Sequence, residues 1–71
     1  MSNGNAITTL SNKDVTDMLT AGIDPSYVVR IIFATPKQTF DVSVQALVAL
    51  GTAKVPIQVI NAMTTKVAQG G

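Results

Sequence analysis

"AGIDPSYVVRIIFATP" (residues 21–36) reads two ways, and the choice between them decides the fold. Valine, isoleucine, phenylalanine and threonine suit a strand, and a short apolar run of this length fits a buried one. The flanks favour a helix. Asp24 can accept a hydrogen bond as the cap, and Pro25 takes the first helical position, where its missing N–H is no loss. Pro36 disfavours helical geometry in the residue before it, so the helix ends near Thr35. Val28, Ile31 and Ile32 then share its inward face. A related phrase, "AKVPIQVIN", recurs at residues 53–61, with Pro56 ahead of a second valine-rich run. The stretch is read as a helix.

Upstream, "SNKDVTDMLTAG" (11–22) carries a helix with its punctuation. Ser11 is the N-cap and Asp14, three residues on, completes a short capping box. Val15, Met18 and Leu19 mark one face, and Gly22 is the C-terminal stop. Downstream, "TPKQTFD" (35–41) reads as a loop. Ser43 caps a third helix with Ala46, Leu47 and Leu50 on one face, its last turn weakened by Gly51. Pro56 opens a fourth, with Val59, Ile60 and Met63 apolar. Residues 1–9 read as a flexible arm and residues 65–71 as a frayed tail. Phe33 and Phe40 are expected to plug the junction between the two halves.

A shift of 32 positions superposes the halves in their apolar frame. Leu10 meets Val42, Ser11 meets Ser43, Val15 meets Leu47 and Met18 meets Leu50. Ala21 meets Ala53, Ile23 meets Val55, Val28 meets Ile60 and Ile31 meets Met63. Each proposed helix has an apolar residue before its cap and another five residues later: Leu10/Val15, Ile23/Val28, Val42/Leu47 and Val55/Ile60. That is the hydrophobic staple, which fixes the angle at which the chain enters a helix. The expected fold is all-α, four short helices as two pseudo-repeated pairs (10–34 and 42–64) in a compact orthogonal bundle. One pair cannot bury its apolar face alone, and two pairs bury each other's.

Composition bounds the rest. Seventy-one residues make one domain at most. Without cysteine or histidine, disulfides and the usual zinc frameworks are excluded. Apolar residues are 46% of the chain and the mean hydropathy is +0.37. Four aspartates, four lysines and one arginine are its only charged side chains, for a net charge of +1. So few charges give little of the repulsion that keeps small proteins apart, which hints at self-association or a partner surface. The longest apolar run, Tyr27 to Ala34, is interrupted by Arg30 and falls short of the roughly 18–20 residues that cross a bilayer. "MSNGNAITTL" lacks the basic and apolar regions of a signal peptide.

The pattern N-x-D-V-x-x-M-x-x-A-G-I, formed by Asn12, Asp14, Val15, Met18, Ala21, Gly22 and Ile23, is followed by Val28-Val29. In the second half come Phe40, Asp41, Ser43, Ala46, Leu47 and Leu50, then Ala53, Val55, Val59, Ile60, Ala62 and Met63. Over about residues 10–64 this resembles a small two-repeat helical module, found as an appendage in predicted bacterial proteins that are often secreted or attached to the envelope. Lys54 departs from a usual glycine and Gly51 from a usual polar residue, both in the turn between helices three and four. The resemblance implies an all-helical fold and a bacterial source, and no reaction.

No catalytic or metal-ligating residue is assigned, and no cofactor or small-molecule substrate is indicated. Ser–His and Cys–His arrangements are impossible within one chain. Asp14 and Asp24 are explained as helix starts, Asp41 braces the Ser43 cap, and Asp14 with Asp17 reads as two solvated charges rather than a catalytic pair. Two short helices around a glycine turn superficially resemble a helix-turn-helix. Lys13, Arg30, Lys37, Lys54 and Lys66 are scattered, however, and a DNA reader needs clustered cations. The terminal Gly70-Gly71 also ends ubiquitin-like sulfur carriers, but those are β-grasp folds. Binding is left: another protein, or the chain itself as a homodimer. Tyr27 and Arg30, three apart on the second helix, are the candidate partner-binding residues. The alternative is a small helix-turn-helix-like DNA-binding regulator.

Overall fold

A computed structural model describes residues 9–69. Four helices carry most of them: α1 (Asn12–Thr20), α2 (Pro25–Ala34), α3 (Val44–Thr52) and α4 (Ile57–Ala68). The stretch at 21–36 is helical, as its flanks predict. Asp24 caps α2 through the Ser26 N–H, with Pro25 in the first turn, and Thr35 closes it with extended backbone ahead of Pro36. Ser11 accepts from the Asp14 N–H while the Asp14 carboxylate accepts from the Ser11 N–H, so the short capping box of α1 is closed from both sides. Ser43 caps α3 through the Ala46 N–H. Pro56 is the N-cap of α4 and offers no side-chain bond.

Both interhelical turns end in a left-handed residue, Gly22 at φ 89° and Lys54 at φ 66°. In the first, the Gly22 N–H donates to Leu19 O at 3.0 Å and Ile23 N–H to Met18 O at 3.1 Å. In the second, Lys54 N–H donates to Gly51 O at 3.0 Å and Val55 N–H to Leu50 O at 3.1 Å. This pair of bonds is the Schellman closure, which satisfies the last helical carbonyls. α3 keeps its final turn despite Gly51.

The fold departs from the all-α expectation in one place. Within the loop expected at 35–41, β2 (Lys37–Gln38) pairs in parallel with β1 (Thr9–Leu10), so Thr9 belongs to a ladder rather than to a loose arm. The expected arm's residues 1–8 and the terminal Gly70-Gly71 lie outside the described residues. Thr39 N–H extends the ladder to Leu10 O at 2.8 Å. The Asn12 amide then bridges Asp41, donating to its carbonyl and accepting from its N–H, both at 2.9 Å. This ladder joins the two halves near the starts of α1 and α3.

α2 lies against α4, and the buried side chains form one cluster. Leu10, Val15, Val28, Ile32, Val59 and Met63 are fully buried at its centre. Phe40 plugs the core from the connecting segment, as expected, but Phe33 does not: it is 43% exposed. The buried stripe of α2 runs through Val28, Ile32 and Thr35, and Phe33 sits about 100° round the helix from Ile32. The fray expected from residue 65 is also corrected. α4 continues to Ala68, with Lys66 facing the negative end of the helix dipole and Val67 packed against the core.

Candidate functional site

The four carboxylates are all engaged locally. Asp14 accepts from the Ser11 N–H at 2.9 Å and the Ser11 hydroxyl at 3.0 Å. Asp17 pairs with Lys13 at 2.7 Å, the single ion pair among the described residues. Asp24 accepts from the Ser26 N–H at 2.8 Å and Asp41 from the Ser43 N–H at 2.9 Å. Those bonds to Ser43 hold the Asp41 carboxyl below its ordinary pKa, and the hydrogen bond from Lys13 to Asp17 raises the lysine above its own. Asp14 and Asp17 therefore serve different partners one turn apart. Among the described residues no three acidic side chains converge as a metal cluster would require, and no pocket is formed.

The exposed apolar side chains are the distinctive surface feature. Val44 is 79% exposed, Ile57 70%, Val48 62% and Tyr27 53%. Val44 and Val48 lie one turn apart on α3, and Ile57 opens α4. On the same two helices, Leu47 and Ile60 are only half-buried. α3 is apolar almost all round, which a helix with a single buried stripe is not. That all-round character was the available sequence signal for this patch. The face expected at Ala46, Leu47 and Leu50 covers only part of it.

Tyr27 and Arg30 are both exposed on α2, close to the half-buried Ile23 and Ile31. Arg30 has no ion-pair partner among the described residues. Lys66 is half-buried, and Arg30, Lys37 and Lys54 stand exposed on three separate segments. No described helix is long and apolar enough to cross a membrane. No protein-family model, curated protein or solved structure matches the chain.

Proposed function

We propose that this chain is a twice-repeated helix pair acting as a non-enzymatic module that binds polypeptide, either another protein or a second copy of itself. The observation that carries the reading is the set of exposed large apolar side chains, led by Val44, Ile57 and Val48, on a chain whose carboxylates all serve caps or a local ion pair. Exposed large apolar side chains that gather on one surface mark interaction sites, and Val44 and Val48 stand one turn apart on α3. Tyr27 and Arg30 belong to the same proposal, as a residue pair of the kind enriched where binding energy concentrates.

What supports the twofold reading is the recurrence at an offset of 32 of the backbone bonds that start all four helices and close α1 and α3. Val15 N–H to Ser11 O is matched by Leu47 N–H to Ser43 O, and Ala21 N–H to Asp17 O by Ala53 N–H to Ala49 O. Ile23 to Met18 is matched by Val55 to Leu50, and Tyr27 to Asp24 by Val59 to Pro56. α1 and α3 begin and end 32 residues apart, and α2 and α4 begin so. The resemblance adds a bacterial setting, in a protein secreted or attached to the envelope, to the same proposal.

The test is a photo-reactive amino acid placed at Val48 or Tyr27 in the cells that make the protein, with Gln45 and Thr20 as exposed polar controls. Adducts with a polypeptide at 48 or 27 and none at the controls are expected. Absence of adducts at both apolar sites overturns the reading, and adducts with nucleic acid at position 27, one turn from Arg30, would favour the DNA-binding alternative.

A further inference from the structure

The halves bury different positions. Among described residues related by the 32-residue offset, none is fully buried in both. The first half buries Leu10, Val15, Val28 and Ile32, whose counterparts Val42, Leu47, Ile60 and Thr64 are only half-buried. The second half buries Leu50, Val55, Val59, Ala62 and Met63, and the counterpart of Ala62 is the exposed Arg30. Of the other counterparts, Met18, Ile23 and Ile31 are half-buried and Tyr27 is exposed. Two halves related by a twofold axis would bury the same positions, since such an interface presents one patch to itself. Here a front face, typified by Val28 and Ile32, is covered in the first half, and a back face, typified by Val59 and Met63, in the second. These residues share one core cluster where α2 lies on α4.

Each half is therefore left with the face that the other has covered. The open front belongs to the second half and holds Val44, Val48 and Ile57, the three most exposed large apolar side chains among the described residues. In the first half the same positions are Asn12, Thr16 and Pro25, all half-buried. The open back belongs to the first half and holds the exposed Tyr27 and Arg30 with the half-buried Met18, Ile23 and Ile31. The joint inside the chain, front against back, is thus available once more between chains.

We propose that the second half's front docks on the first half's back in another copy, so that the chain associates head to tail and continues the stacking of its own halves. This rests on the twofold reading above and names the partner that reading left open. The front side chains Val44, Leu47, Val48, Ile57 and Ile60 carry no charge. Arg30 therefore meets neither a like charge nor a carboxylate among them, and its guanidinium stays in water at the rim while its stem lies on the apolar face. A joint between unlike faces does not close on two chains by symmetry; it builds a ring or an open filament.

The experiment is sedimentation of the wild type over a concentration series, beside Val48→Lys (front) and Tyr27→Lys (back), with far-UV circular dichroism to confirm unchanged helicity. Val44→Lys and Tyr27→Asp form a second pair should either variant lose its fold. The wild type is expected to grow past the mass of two chains. Each variant alone stays at one chain, because every copy lacks the same face. An equimolar mixture of front and back variants recovers association and stops at two chains, because only one intact front–back joint can form. A wild type that stays at one chain overturns the inference, as does a dimer that mixing the variants fails to restore. A monomer that still gives adducts with another protein at Val48 or Tyr27 overturns head-to-tail association and leaves the broader binding module standing.

Discussion

Gly22 and Lys54 occupy the same place in two turns of the same design, with φ of 89° and 66°. Glycine adopts that geometry without steric cost, whereas an L side chain is disfavoured there by roughly 1–2 kcal/mol. Part of any gain from glycine is lost again to the greater freedom of the unfolded chain. Lys54→Gly is therefore expected to stabilise the protein by about 0.5–1 kcal/mol. Gly22→Ala should destabilise it by about 1 kcal/mol, as a backbone cost alone, because an added Cβ would meet nothing within 4 Å. Urea midpoints at unchanged slope measure both. A Lys54→Gly variant that loses stability would reveal a contact made by the lysine stem. Gly22 as a stop is legible in the sequence because glycine declares the geometry it permits. Lys54 does not declare it. Its conformation is imposed by the bond from the Val55 N–H to Leu50 and by burial of Val55 in the core, both set outside residue 54.

At the scale of elements, what is local is legible and what depends on two segments meeting is not. The caps at Ser11, Asp24 and Ser43 reach two or three residues along the chain, so sequence order alone places them. The ladder between β1 and β2 and the Asn12 bridge join segments that meet only after folding, and nothing in "TPKQTFD" announces them. The bridge makes a clear prediction. Asn12→Ala removes both bonds to the Asp41 backbone, in an exposed setting where water partly replaces them. A loss of about 1 kcal/mol is expected, read as a lower urea midpoint, with the amides of Thr39 and Asp41 exchanging faster. Asp41 itself ties stability to pH. Its folded pKa is lowered by the bonds to Ser43, so its contribution is present above the unfolded value of about 3.9. That contribution is lost as the pH falls through the lower folded value. The thermal midpoint should drop on acidification below about pH 4, and Asp41→Asn should flatten that part of the drop. An unchanged acid limb in the variant would mean that other carboxylates set it.

For the whole molecule, the four helices are legible in the sequence, and the offset of 32 suggests the proposed pairing, but the way the helices meet is not legible. Val28 and Ile60 look equivalent in sequence, as do Tyr27 and Val59. Burial separates them, because each half turns a different face to the other. The asymmetry has a thermodynamic consequence. Among the described residues the core has ten buried apolar side chains, and the chain has no cysteine for a disulfide; small chains bury proportionally less surface than large ones. Association through the open faces engages only the folded state, so it stabilises that state by mass action. At a hundredfold excess over Kd that stabilisation reaches ~2.7 kcal/mol. For a domain of this length each kcal/mol moves the melting midpoint by roughly 4–8 °C. The wild-type midpoint should therefore climb by on the order of 10 °C as concentration rises from near Kd to a hundredfold above it. Val48→Lys and Tyr27→Lys, each lacking one face, should melt at a midpoint independent of concentration, and their mixture should recover part of the climb. Calorimetry across that range reads all three. A wild-type midpoint that stays flat while sedimentation shows growth would mean that the chains meet through something other than the folded faces, such as strand pairing between partly unfolded copies.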